Sequence, residues 1–404
     1  MSAARTVLER LLRRAESARL RGADERASLP MTGAAEYLAL RSLDELETFH
    51  AEIALAEREG SIGVQREGRS GDGSKLLRLT VADLPALARH LDVHLLDERV
   101  AEAARRLQTW AARFPIIAEA VDAWRHGRKV RGGGPEVAGD LALAAKAVAA
   151  REDDARHERI LRRESVRLFG DSKRLEKLTP WLELLVTGEL AATGLSKEDV
   201  WSAIGLRREP QPLLLAGRGT VELTDATLPL VHPYLGLPVE SVQSVATPAH
   251  CLLTIENLAT FHDATRAVGA ESALLLYTGG MPSPAWRAAY MRILRGLPPE
   301  LPLYHWGDID EGGFRIAAVL ASTAQAVGRQ LQPWLMSPEM ARASAVPGTA
   351  PPASSLAAMT VWAERAGWHT LAEDLRRHPM QLEQESLDPL LPGLQAPSSV
   401  APGR

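Results

Sequence analysis

The 404 residues contain a single cysteine, Cys251, so neither an internal disulfide nor a multi-cysteine zinc site can be built from this chain. Aromatic residues make up only 5%, against 46% hydrophobic residues in all. The interior must therefore be assembled from Leu, Ala and Val, and segments rich in Ala, Leu, Arg and Glu favour helices. No apolar run approaches the roughly 20 residues of a membrane span. The opening MSAARTVLERLLRRAESARLRG carries charge along its length and lacks the apolar centre of a secretory signal. A cytoplasmic protein without membrane contact is expected. The eleven histidines show no zinc-type spacing such as H-E-x-x-H, and neither a Walker P-loop nor a G-x-G-x-x-G occurs. Energy coupling, if needed, must come from a partner. The net charge of −4 argues against an all-over basic coat for nucleic acid but leaves room for local basic surfaces.

A chain of this length is expected to hold two to four domains. Residues 1–28 read as an amphipathic helix, and 36–59 continue in helical period. Two β-prone stretches, 61–65 and 75–81, flank a polar Gly-rich loop, which is a hairpin pattern. Residues 81–91 are helical again. Helices followed by a hairpin with a basic tip predict a winged-helix-like region over 1–97, with Arg66, Arg69, Lys75 and Arg78 on the wing. An ordinary solvated hairpin is the competing reading.

Residues 98–225 are expected to form a helical middle domain with DNA-binding basic loops. The loop 125–134 (RHGRKVRGGG) has no acid. Its four cations, Arg125, Arg128, Lys129 and Arg131, can follow a phosphate backbone. A second cluster over 162–174 contributes Arg167, Lys173 and Arg174, but acids interleave there and pairing within the helix competes.

Beyond 210, short apolar pieces with Pro and Gly suit strands and turns, and then a regular alternation begins. A strand at 250–255 leads to a helix at 257–268. A strand at 272–278 turns at Gly279 and Gly280 into a helix at 284–295. A strand at 302–307 leads to a helix at 314–327. This βαβαβ order implies a parallel sheet with right-handed crossovers, hence an α/β domain over 226–343. Residues 331–336 are expected to add a strand. The remainder, 344–404, reads as a Pro/Ala/Ser linker (344–355), a helix (355–377) and a disordered tail of nine residues.

Two of these strands stop abruptly at acid: CLLTIE, ending at Glu256, and LYHWGDID, containing Asp308 and Asp310. In open α/β sheets ligands bind outside the carboxyl ends of the strands. Asp308 and Asp310 alternate with Ile309, so they point the same way. Carboxylates gathered this closely repel one another unless a cation is present. Hard divalent cations take oxygen ligands and often use one or two carboxylates plus phosphate oxygens. The three acids thus predict a metal site for phosphoryl chemistry. The competing reading is that they cap the helices that follow, worth roughly 0.3–1 kcal/mol each. His262 and His305 flank the acids and are expected to be structural.

The pattern of a Glu after the first strand, a small-residue turn after the second and D-x-D after the third resembles a Toprim domain, the catalytic fold of topoisomerases, bacterial primases and several nucleases. Glu256 and Asp308 lie 52 residues apart, which suits that family. More narrowly, TIENLATFH and YHWGDIDEGGFRI resemble the nuclease subunit of Wadjet systems, bacterial SMC-like plasmid-defence complexes. RRESVRLFGDSKRLEKL (162–178) and QLEQESLDP (381–389) are similar to it as well. The resemblance implies a homodimer, related to the topoisomerase VI A subunit, that cuts double-stranded plasmid DNA using Mg²⁺ or Mn²⁺. Its partners would be an SMC-like ATPase, a kleisin-like subunit and an accessory subunit. The family's metal-site and catalytic role falls on Glu256, Asp308 and Asp310. Glu383 and Glu385 are weaker candidates, since a Glu-rich helix end is usually a solvated face.

One departure bears on mechanism. Topoisomerases of this class need a tyrosine nucleophile well upstream of the Toprim Glu. The five tyrosines are Tyr37, Tyr234, Tyr277, Tyr290 and Tyr304, and none falls within 98–200. Water is therefore the expected nucleophile. Two alternatives stay open: a non-catalytic DNA-binding subunit, and tyrosine-dependent cleavage.

Overall fold

Every side chain of the strand Cys251–Ile255 is buried, as in strands covered on both faces, and the larger of two compact units is built around it. The computed structural model describes residues 2–22, 26–67, 75–155, 157–209, 211–267, 269–343 and 346–392. Contacts divide the chain into one unit of Met1–Leu143 with Gly188–Ala191 and another of Ala144–Thr187 with Ala192–Arg404.

In the first unit the helix Ala3–Leu20 starts at Ser2, whose hydroxyl accepts the Arg5 N–H at 3.1 Å. It turns Val7, Leu8, Leu11, Leu12 and Ala15 inward at helical spacing. The helix expected to reach residue 28 ends at Leu20, and Gly22 follows in a left-handed conformation, φ 68°. Packed against it are the helix Leu43–Arg58, opened by a reciprocal Ser42/Glu45 capping box, and the helix Leu84–His90. An antiparallel sheet in the order Ser28–Pro30, Leu76–Val81, Ile62–Arg66 completes this core. The expected hairpin is present and gains a third strand. Of the wing cations, Arg66 pairs with Glu57 at 2.5 Å, Arg78 donates to Ser28 Oγ at 3.0 Å, and Lys75 is exposed. Arg69 lies outside the described residues. The helices Leu96–Ala111 and Ile116–Arg125 also belong to this unit.

The second unit holds a six-stranded sheet: β1 (Leu213–Ala216), β2 (Leu235–Leu237), β3 (Cys251–Ile255), β4 (Ala273–Tyr277), β5 (Leu303–Trp306) and β6 (Leu331–Pro333), in the order β6-β5-β3-β4-β1-β2. β6, β5, β3 and β4 are mutually parallel, whereas β1 runs antiparallel to β4 and β2 antiparallel to β1. The expected parallel sheet is therefore the central part of a mixed one. A parallel return needs a long crossover, usually helical, and no helix lies between β1 and β2. The crossovers are α1 (Leu258–Arg266) between β3 and β4, α2 (Pro284–Gly296) between β4 and β5, and α3 (Glu311–Gln325) between β5 and β6.

Instead of one helix over 355–377 there are two, Ala353–Arg365 and His369–Arg377, parted at Gly367 with φ 82°. Met359, Ala363, Leu371 and Leu375 of this pair share the core with Leu320 of α3. The chain then returns to the sheet, where Ile309 and Leu382 form an antiparallel bridge. The last nine residues, expected to be disordered, lie outside the described ones. Among the described residues no helix is long and apolar enough to cross a membrane.

Candidate functional site

β3 and β5 are parallel neighbours with Ile255 opposite Trp306. Glu256, one residue past β3, and Asp308, two past β5, therefore leave the sheet at the same rim. The Glu256 N–H donates to Trp306 O at 3.1 Å, and the Asp308 N–H reaches Glu256 Oε2 at 3.4 Å. Gly307 passes so close that a Cβ there would stand 2.5 Å from Glu256 Oε2 and 3.0 Å from His305 Nε2. Asp310 begins α3, and its Oδ1 accepts the Gly313 N–H at 2.7 Å. The capping reading thus holds for Asp310 alone. Asn257, not Glu256, caps α1, accepting from Ala259 and Thr260 N–H at 2.7 and 3.3 Å.

The sequence underrated a fourth strip of chain. Asp308, Glu383 and Glu385 each offer a carboxylate oxygen, all within 4.8 Å of one another. The two glutamates do not end an α-helix: Glu383 precedes a single 3-10 turn, Gln384–Ser386, and Glu385 lies within it. Two backbone bonds admit the strip, Ile309 N–H to Leu382 O at 2.8 Å and Leu382 N–H to Ile309 O at 3.1 Å. Gln384 is 1% exposed. Its N–H donates to Asp308 Oδ1 at 2.6 Å, its Nε2 donates to Trp306 O at 2.9 Å, and its Oε1 accepts the Asn257 N–H at 2.8 Å. The Asn257 Nδ2 donates to Glu385 Oε1. In LEQES the buried Leu382 and Gln384 alternate with the exposed Glu383 and Glu385.

Burial drives Glu256 well above the usual carboxylate range, and the charges of Asp308, Asp310 and Asp199 push the same way. Burial likewise raises Asp308 to about 7; Asp310, Glu383 and Glu385 add to the rise, and the Gln384 N–H opposes it. Asp199 was not singled out in the sequence. It sits on the helix Lys197–Ala203, and its Oδ1 accepts the Met281 N–H at 2.8 Å, holding the turn after β4. The charges that act most strongly on Glu256 and Asp308 are those of other acids. An all-oxygen donor set of this kind suits a hard divalent ion such as Mg²⁺ or Mn²⁺.

His305 is wholly buried, which lowers it to about 3 and keeps it neutral. Its Nδ1 meets Thr254 Oγ1 at 2.9 Å, while Nε2 has no hydrogen-bond partner among the described residues. His262 lies edge-on to Tyr234 at 4.9 Å between ring centres. Of the tyrosines, Tyr277 ends β4 opposite Ile255 and so lies at the rim. Tyr290 is fully buried, Tyr37 packs on Phe49, Tyr234 on Phe261 and Tyr304 on Trp334.

The basic loop is a built turn. Val130 and Gly133 exchange N–H···O bonds of 2.9 Å, and the Trp124 indole donates to Gly133 O at 3.1 Å. Arg125, Arg128 and Lys129 are exposed. Arg131 takes φ 51° and donates to Glu189 O at 3.1 Å, so it shapes the loop. In the second cluster, on the other unit, Arg167 is held by the buried Glu164 through bonds of 2.9 and 2.5 Å. The interleaved acid does compete there. Lys173 is exposed and Arg174 half-buried.

A family model described as Wadjet protein JetD, C-terminal, matches residues 215–392, a span that includes Glu256, Asp308, Asp310, Glu383 and Glu385. No curated protein matches the chain.

Proposed function

We propose that the chain, whose residues 215–392 match the family model of the C-terminal part of Wadjet protein JetD, is the metal-dependent DNA endonuclease subunit of a Wadjet plasmid-defence complex. The C-terminal sheet is read as a Toprim domain, and the first unit as a winged-helix-like DNA-binding region. The observation that carries the proposal is the gathering of carboxylates at the rim where β3 and β5 end.

In this reading Glu256, Asp308 and Asp310, joined by Glu383 and Glu385, hold Mg²⁺ or Mn²⁺. Such an ion, when bound, polarises a phosphoryl oxygen and lowers the pKa of a water that attacks phosphorus. Asp310 orients the start of α3 as well as offering charge. Arg125, Arg128, Lys129, Lys173 and Arg174 track the phosphate backbone of double-stranded plasmid DNA. Arg131 and Arg167 support those surfaces from committed positions. Hydrolysis is favoured over a tyrosine-linked intermediate, because all five tyrosines pack in cores or against neighbouring rings. The protein acts as a cytoplasmic homodimer with an SMC-like ATPase, a kleisin-like subunit and an accessory subunit.

The test is cleavage of circular plasmid by the purified protein with its partner subunits in Mg²⁺ or Mn²⁺. Glu256→Ala and Asp308→Ala are each expected to lower cleavage by at least about 100-fold, beyond the range typical for groups that only support a metal's ligands. Undiminished cutting by either variant removes the site assignment. DNA binding without cutting under any metal, by the wild type itself, favours a non-catalytic subunit. A covalent protein–DNA adduct lost on Tyr277→Phe favours the tyrosine route.

A further inference from the structure

We infer that Gln384 is a positioning residue that gathers the acids of the rim, an inference that rests on the metal-site reading above. Glu256 and Asp308 come from different strands, and Glu383 and Glu385 from a strip far along the chain. Gln384 contacts all of these regions at once. Its Oε1 takes the N–H of Asn257, the residue after Glu256, at 2.8 Å. Its Nε2 bonds Trp306 O, where β5 ends, at 2.9 Å. Its own N–H bonds Asp308 Oδ1 at 2.6 Å.

Both side-chain bonds are made by a residue only 1% exposed, where water cannot replace a lost partner. The carboxamide is suited to this task because it offers a donor and an acceptor on one planar group. A carboxylate could satisfy Asn257 but not Trp306, and an ammonium the reverse. The N–H bond to Asp308 Oδ1 also fixes which way that carboxylate turns. Groups that hold a ligand from behind in this way typically alter metal affinity 10- to 100-fold when replaced.

The test uses the full chain, freed of metal, with Mn²⁺ binding followed by calorimetry and thermal melting followed by circular dichroism. Gln384→Met keeps the side-chain volume and removes both amide bonds. It is expected to weaken Mn²⁺ binding about 10- to 100-fold, and to lower the metal-free melting temperature by only a few degrees. A purely structural role would lower the melting temperature and leave the Mn²⁺ affinity of the folded protein unchanged. Asp308→Asn is the companion variant. Wild-type affinity in Gln384→Met together with loss in Asp308→Asn overturns the positioning role alone. Wild-type affinity in Asp308→Asn overturns the metal site beneath it. Should Gln384→Met fail to fold, hydrogen exchange on the metal-free wild type decides. Amides of residues 382–384 are expected to be protected, and exchange at the rate of an unstructured peptide rejects the role.

Discussion

Asp310 carries two duties that a pair of substitutions can separate. Its Oδ1 caps α3 through the Gly313 N–H, and its charge acts on both Glu256 and Asp308. Asn caps a helix about as well as Asp, whereas Ala costs about 1 kcal/mol. Asp310→Asn is therefore expected to melt within a degree or two of wild type while losing plasmid cleavage. Asp310→Ala should lose cleavage and also about 1 kcal/mol in urea denaturation. Equal cleavage by wild type and Asp310→Asn would reduce this residue to a cap.

At the scale of elements, the glycines after Asp310 differ in what they permit. A Cβ on Gly313 would overlap the backbone of Asp308, its carbonyl oxygen first, whereas a Cβ on Gly312 would meet nothing nearer than Asp310 Oδ1 at 3.4 Å. Alanine normally favours a helix over glycine by about 1 kcal/mol. Gly312→Ala should thus be neutral or stabilising. Gly313→Ala should destabilise by about 1–3 kcal/mol, the usual cost of overpacking, as read from urea midpoints. A stabilised Gly313→Ala would mean that α3 can shift away from the rim. These elements were legible because each strand is an unbroken apolar run closed by acid or Gly, and each helix follows a capping residue such as Asn257, Ser283 or Asp310. What escaped was non-local. Gln384 bonds Asp308 across 76 residues and Asn257 across 127, and no window of sequence reports such a contact. The antiparallel placing of β1 was hidden for the same reason, since Leu213–Ala216 is too short to show its pairing partner.

For the molecule as a whole, a rim that holds metal as proposed should make stability depend on pH and on metal in opposite senses. In the metal-free protein Asp308 is raised from 3.8 to about 7, and Glu256 is raised as well. The folded state then holds these protons more tightly than the unfolded chain. The contribution of Asp308 to stability is complete below pH 3.8 and is lost as pH rises through about 7, and Glu256 acts in the same direction. Mg²⁺ needs the deprotonated acids, so its stabilising effect should grow over the same interval. Melting curves of wild type and Asp308→Asn at pH 5 and pH 8 isolate this behaviour from the other carboxylates. The Mg²⁺-induced rise in melting temperature should be larger at pH 8 than at pH 5 in wild type, and flat in the variant. An equal rise at both pH values in wild type would contradict it.

The bridge between Ile309 and Leu382 also gives the protein a chronology. A ribosome releases the two acid-bearing turns early and the strip that draws them together late. A product broken off before Leu382 would own a sheet and its crossovers, yet Asp308 would lack both of its glutamate neighbours. On the proposed metal site, an unfinished copy holds an incomplete donor set until synthesis has passed Glu385.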